Sequence, residues 1–254
     1  MDSLRVSLIQ SELKWHDVGA NLSHISETID SLENADLIVL PEMWSSGFTM
    51  MSHRYHSETP KAITLMQDWA KAKQSIVCGS LITKDDEVCF NRLYCVGPDG
   101  VRETYDKRHL FGFAGEDRSF SSGEQRKELK IKGFTIRLNV CYDLRFPVWS
   151  RNDSDYDILL YVANWPDKRI SAWQALLRAR AIENQAYVLG CNCVGEDLWN
   201  NRYSGYSAII GPDGETLKEA TGGEQTLSDT LDFDSLKKFR KKFPFLKDRD
   251  AFQL

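Results

Sequence analysis

The sequence predicts an α/β fold of two similar halves, each a β-sheet with helices on one face, packed sheet against sheet. Short, continuously apolar runs alternate with segments of helical periodicity, the pattern expected of buried strands and the helices that connect them. The four residues Gly97-Pro98-Asp99-Gly100 recur as Gly211-Pro212-Asp213-Gly214, and the same succession of buried strand, helix, strand and hairpin surrounds both copies.

In the first half, residues 4–10 (LRVSLIQ) read as a strand rich in β-formers. Asp17 is placed to cap a helix whose Val18, Leu22, Ile25, Ile29 and Leu32 recur at helical spacing, and residues 36–40 (DLIVL) form a buried strand. Pro60 fits the first turn of a helix over 59–73, with Ala62, Leu65, Met66, Trp69 and Ala70 on one face. Strands are predicted at 75–82 and 88–96, joined onward by the Gly97 to Gly100 turn, in which proline suits the first central position. The second half repeats the plan: a strand at 134–140, a buried strand within 157–165, a helix at 170–185, a strand at 186–194 and the second hairpin. No linker rich in proline, glycine or serine separates the halves, so a single domain over 1–254 is expected. Only the tail changes character: between 235 and 250 it carries seven Lys or Arg against two Asp, with Phe239, Phe243, Phe245 and Leu246 interleaved. The segment of about 234–254 is expected to pack its aromatics on the body or on a second subunit and turn its charges to water.

Composition excludes several function classes. With 32 Lys and Arg against 37 Asp and Glu the net charge is −5, which argues against a basic face for nucleic acid. The opening MDSLRVSLIQ has neither the basic stretch nor the apolar run of a secretory signal, and no apolar run approaches the ~18 residues of a membrane helix. A cytoplasmic location without membrane contact is the expectation. Six cysteines in 254 residues are too sparse for a disulfide framework and read as free thiols.

Metal and phosphate chemistry find little support. His53 and His56 lack accompanying ligands, and Cys191 and Cys193 alternate along a predicted strand, which would put both on one face of a buried sheet. Phosphate-binding glycine loops and the GxSxG elbow are absent. What remains is Cys141, just beyond the strand at 134–140 and before the strand-breaking YDLRFP, where backbone N–H groups of a turn can face a developing oxyanion. A thiol used as nucleophile needs a base and a positive neighbour. Glu42 directly follows a buried strand, where an idle charge would be costly, and Lys107 follows another.

The segments LPEMWSSGF, YDKRHLF and NVCYDLRFP, in that order, resemble the Glu-Lys-Cys signature of the nitrilase superfamily, the carbon–nitrogen hydrolases. Gly115-Glu116, Ala163-Asn164-Trp165-Pro166 and Ala179-Arg180-Ala181-Ile182-Glu183-Asn184 extend the resemblance over about residues 4–245. KRHLF followed by AGE, and the FPFLKDRD tail, are most similar to the omega-amidase branch. The resemblance implies a four-layer α-β-β-α sandwich, a homodimer, no metal or organic cofactor, and hydrolysis of the terminal amide of 2-oxoglutaramate or 2-oxosuccinamate through a cysteine thioester. It implies that Cys141 is the nucleophile and Glu42 its general base and acid. Lys107 and the Tyr142 N–H would hold the oxyanion, and Glu116 would position water or the amide.

The far carboxylate of such a substrate needs a cation, for which Arg145, Lys168, Arg169, Arg178 and Arg180 are candidates. Trp165 is expected to wall the pocket, and Trp44, Phe111 and Phe113 to narrow it. The competing activities are an N-carbamoyl amidohydrolase, a broader aliphatic amidase and a nitrilase, all sharing the same three residues. Outside that class stand a non-catalytic interaction protein on the same fold and a redox or metal protein built on Cys191 and Cys193.

Overall fold

The computed structural model describes residues 3–251. Its first half runs β1 (Ser3–Gln10), α1 (Val18–Ser31), β2 (Leu37–Val39), a short α2 (Ser52–Tyr55), α3 (Thr59–Lys73), β3 (Ile76–Asp85), β4 (Val88–Gly97) and β5 (Gly100–Asp106). The second half runs β6 (Glu128–Ile131), β7 (Phe134–Val140), a short α4 (Pro147–Ser150), β8 (Ile158–Val162), α5 (Ile170–Asn184), β9 (Tyr187–Cys191), β10 (Val194–Glu196), β11 (Arg202–Ser204), β12 (Ala208–Ile210) and β13 (Thr216–Glu219). The chain then returns through β14 (Gln225–Asp232) to α6 (Phe233–Lys242).

Two six-stranded sheets result, ordered β14-β1-β2-β3-β4-β5 and β13-β12-β9-β8-β7-β6. In one, β1, β2 and β3 are parallel and β4 and β5 antiparallel; in the other, β7, β8 and β9 are parallel and β12 and β13 antiparallel. The outer strands match too, β14 lying antiparallel on β1 and β6 on β7. The repeat extends to single bonds. Asp36 Oδ2 accepts from Arg5 N–H at 2.9 Å, as Asp157 Oδ2 accepts from Thr135 N–H at 2.9 Å. Helices α3 and α5 both have 15 residues and both end on a glutamine, Gln74 and Gln185, in the left-handed conformation. Gly79 and Gly190 then occupy equivalent places under the helical layer. A Cβ would lie 2.8 Å from Trp44 at the first and 2.6 Å from Leu177 at the second, so both strands need glycine for close approach.

Burial follows the layers. Leu8, Val39 and Leu93 meet Leu138, Leu160 and Leu189 between the sheets. Ile25, Ile29, Met66 and Trp69 cover the outer face of one sheet, and Trp173 and Leu177 cover the other. The order is therefore α-β-β-α, as expected. Among the described residues no helix is long and apolar enough to cross a membrane.

Three expectations about the strands and the core are corrected. The strand predicted over 186–194 ends at Cys191, because Asn192 leaves the ladder: its N–H donates to Ser207 Oγ at 2.9 Å and its Oδ1 accepts from Trp165 N–H at 2.7 Å. Cys191 consequently sits between the sheets while Cys193 packs with Leu13, Trp15 and Tyr203, so the two thiols do not share a face. Trp44 is buried 5.5 Å from Trp69 in the helix-covered core and does not reach the pocket.

In the tail, Leu236 is buried, Phe233 lies 4.9 Å from Phe134, and Phe239, Phe243 and Phe245 form a ladder with ring spacings of 5.4 and 5.8 Å. Arg240 departs from the expectation that the tail's charges face water. Its guanidinium donates to the carbonyls of Gln185 and Tyr156 at 2.8 and 2.6 Å and to Asp157 at 3.1 Å, closing the C-terminal end of α5. Residues 252–254 of the tail lie outside the described residues.

Candidate active site

The carboxyl ends of strands from both sheets converge on one cavity, the usual place for a site in parallel β-structure. Glu42 follows β2, Lys107 follows β5, Cys141 follows β7 and Asn164 follows β8. Glu42, Lys107 and Glu116 are all at most 1% exposed. Lys107 Nζ donates to Glu42 Oε1 at 2.9 Å and to Glu116 Oε1 and Oε2 at 2.9 and 2.8 Å. Asn91, on β4, bridges the same two carboxylates through Nδ2, at 2.7 Å from Glu42 and 3.1 Å from Glu116. Glu116 enters after Gly115, whose φ of +77° favours glycine, and its Oε2 also accepts from Phe111 N–H at 2.6 Å.

Cys141 stands where the strand turns into a tight helical turn, with φ of +45°, an uncommon conformation for a non-glycine residue and one that clusters at functional sites. Its thiol is close enough to Glu42 and Lys107 for both charges to act on it. The turn is pinned by Asp143, fully buried, whose carboxylate accepts from Val140 N–H at 2.9 Å, Tyr105 O–H at 2.7 Å, His109 N–H at 2.9 Å and His109 Nδ1 at 2.8 Å. Asp143→Ala would orphan these donors, at about 1–3 kcal/mol for each one left unsatisfied. The expected result is a loss of at least about 3 kcal/mol in urea unfolding; an unchanged midpoint would contradict this role.

Electrostatics follow from burial and charge together. Burial alone would lower the Lys107 ammonium, but Glu116 and Glu42 outweigh it and hold the group well above its ordinary value. Burial raises Glu116, with Glu42 adding to the shift and Lys107 opposing it. The Cys141 thiol is raised by burial and then by Glu42, Lys107 again opposing. These directions favour the protonated thiol at Cys141 and the ammonium at Lys107.

Cys141 and Lys107 open onto a cavity of about 290 Å³, with Glu42 and Glu116 buried behind them. Phe48, Phe111, Phe113, Trp165 and Trp199 wall it, with Tyr142, Arg145, Asn164, Arg169 and Tyr203 also on its lining.

The profile of the carbon-nitrogen hydrolase family matches residues 5–241. The chain belongs to the carbon-nitrogen hydrolase family. It is 43% identical over 255 aligned residues to the omega-amidase YafV of Yersinia enterocolitica, covering 100% of both chains. It is 38% identical over 246 residues to a 2-oxoglutaramate amidase of Paenarthrobacter nicotinovorans, covering 91% of this chain and 83% of that one. The crystal structure of XC1258 from Xanthomonas campestris, a CN-hydrolase superfamily protein with an arsenic adduct in its active site, superimposes with a TM-score of 0.97 at 37% identity, covering 100% of both chains.

In this carbon-nitrogen hydrolase the candidate cations separate cleanly. Arg180 is buried and bound to Glu183 and the Leu144 carbonyl, and Arg178 is spent on Thr216 away from the cavity. Lys168 is exposed and is not among the lining residues. Arg145 and Arg169 do line the cavity, stacked 5.0 Å over Trp165 and 5.0 Å over Phe111. Among the described residues neither guanidinium has a hydrogen bond or an ion pair. Sequence reasoning missed Asn91, Asp143 and the side chain of Asn164 as parts of this site. For the last two the signal was present: each is a polar residue inside a recognised segment, next to a buried strand end.

Proposed function

We propose that this amide-hydrolysing enzyme is an omega-amidase that releases ammonia from the terminal amide of 2-oxoglutaramate or 2-oxosuccinamate, giving 2-oxoglutarate or oxaloacetate. The observation that carries the reading is one small cavity lined by Cys141 and Lys107, the lysine bound from behind to Glu42 and Glu116, and by two unpaired guanidinium groups. The first set suits attack on an amide, and the second suits a carboxylate at the far end of the same molecule.

In this reading Glu42 takes the thiol proton as the sulfur attacks the amide carbon. The raised thiol makes that transfer part of the attack rather than a step before it. Lys107 has three N–H donors: one on Glu42, one shared by the two oxygens of Glu116, and one for the oxyanion, which the Tyr142 N–H also faces. Glu42 then gives its proton to the departing nitrogen, and ammonia leaves a thioester on Cys141. Water attacks that thioester, giving a proton to Glu42; the C–S bond breaks to release the carboxylic acid, and the proton on Glu42 returns to the Cys141 sulfur, with Glu116 positioning the water or, earlier, the amide.

Arg145 and Arg169 are assigned the substrate carboxylate, with Trp165 as the wall beneath Arg145. Arg145→Ala and Arg169→Ala are each expected to raise KM for 2-oxoglutaramate about 10- to 100-fold, the range for a hydrogen bond to a charged group. Turnover of a short neutral amide should change less than about threefold on the same scale. Equal losses on both substrates would refute the assignment. A panel of omega-amides, N-carbamoyl amino acids and aliphatic nitriles, scored by ammonia release, separates the proposed activity from its neighbours. The proposal includes a cytoplasmic homodimer, which light scattering in solution tests as to its mass.

A further inference from the structure

Asn164 holds Glu42 twice. Its N–H donates to Glu42 Oε2 at 2.9 Å, and its Nδ2 donates to the Glu42 backbone carbonyl at 2.7 Å. A backbone carbonyl can only accept, so the side-chain amide has one possible orientation, with Oδ1 at the other end. That Oδ1 is buried and has no hydrogen-bond partner, in a residue that is 5% exposed and borders the cavity beside Cys141 and Lys107. Buried acceptors are normally satisfied, and an unpaired one next to a reacting centre points to a donor that arrives with the ligand.

Asn91 Oδ1 is also buried without a partner, but Asn91 is fully buried and does not line the cavity; the carboxylate acceptors nearby are already engaged. Glu42 Oε1 takes Asn91 and Lys107, Glu42 Oε2 takes the Asn164 N–H, and both oxygens of Glu116 take two donors each. A primary carboxamide brings two N–H donors on its nitrogen. We propose that Asn164 Oδ1 accepts one of them, so that Asn164 reads the amide nitrogen and selects carboxamides over esters and nitriles, which carry no N–H. Holding one N–H also turns the nitrogen lone pair of the tetrahedral intermediate toward Glu42. The proton gained by Glu42 from Cys141 then passes to that nitrogen as the C–N bond breaks, and ammonia departs. This role rests on the assignment of Glu42 and Cys141 made above and deepens it from a reaction to a choice of leaving group.

The test compares the primary amide and the 4-nitrophenyl ester of one short acyl chain. Both form the same thioester, and kcat/KM reports only the steps up to it. In Asn164→Ala, kcat/KM for both substrates falls by whatever the lost Nδ2 bond to Glu42 contributes, and that for the amide is expected to fall at least about 10-fold further than that for the ester. Asn164→Ser, which keeps a small polar side chain in the loop, carries the comparison if the alanine variant does not fold. A parallel fall on both substrates would mean that Asn164 acts only by holding Glu42, and no fall on either would mean that it does not contact the substrate; each result overturns the inference. Cys141→Ala, run alongside, keeps the two readings apart: if it still turns over the amide, the assignment of the nucleophile fails rather than that of Asn164.

Discussion

Cys141→Ala is expected to reduce ammonia release from 2-oxoglutaramate by about 10⁴-fold or more, because the acyl group then has no atom to which it can be transferred. No second thiol can replace it. Cys191 and Cys193 are fully buried, and burial raises both; Cys89, the other partly exposed cysteine, packs near Phe120 and is not on the cavity. The fold should survive, since alanine meets the same φ of +45° and the turn is held by Asp143 rather than by the thiol. A variant with normal melting and more than about a tenth of wild-type turnover would remove Cys141 from the chemistry, given the size of loss that removing a nucleophile brings.

Glu42→Gln should move two readouts in opposite directions. Turnover is expected to fall about 10²- to 10⁴-fold, the usual range for loss of a general acid and base. The Cys141 thiol should at the same time become more acidic. Burial is the first cause of its raised value and the Glu42 charge the next, while Lys107 opposes both. Removing the anion leaves burial in place but lifts the repulsion that disfavours thiolate, so the sign of the change is downward. Ultraviolet titration of thiolate, read as the difference from Cys141→Ala, should show the wild-type thiol ionising above the ordinary cysteine range and the glutamine variant at lower pH. A thiol that became harder to ionise in the variant would mean that Glu42 is not the charge facing it. Glutamine also sets an N–H₂ against either Lys107 and Asn91 or the Asn164 N–H, so some loss of stability accompanies the change.

What could be read from the sequence was local chemistry in short runs. The helix at Thr59–Lys73 was legible because Pro60 marks its start and its apolar residues share one face. The duplication was legible from two identical turns, and the structure extends it to the paired Asp36 and Asp157 contacts. The strand at 186–194 was read too long because Asn192 looks like any polar residue in a strand until Ser207 and Trp165 are brought beside it. Glu42, Lys107 and Cys141 stood out because each sits in a distinctive segment at a strand end. Asn91 did not: an amide in the middle of β4 gains its meaning only when folding sets it between two carboxylates. The cations behave alike in sequence and separate only by their partners. Arg180 is occupied by the Leu144 carbonyl, whereas Arg145 and Arg169 rest on aromatic rings with their donors open.

The central claim is that an omega-amide is cleaved by way of a thioester on Cys141. Its most direct test is rapid acid quenching of the enzyme with 2-oxoglutaramate, followed by intact mass measurement and peptide mapping. The expected result is a transient mass gain equal to the substrate less ammonia, located on the peptide that contains Cys141 and absent from Cys141→Ala. Ammonia released at the full rate with no such adduct at any quench time, or with the adduct on another residue, would contradict the account.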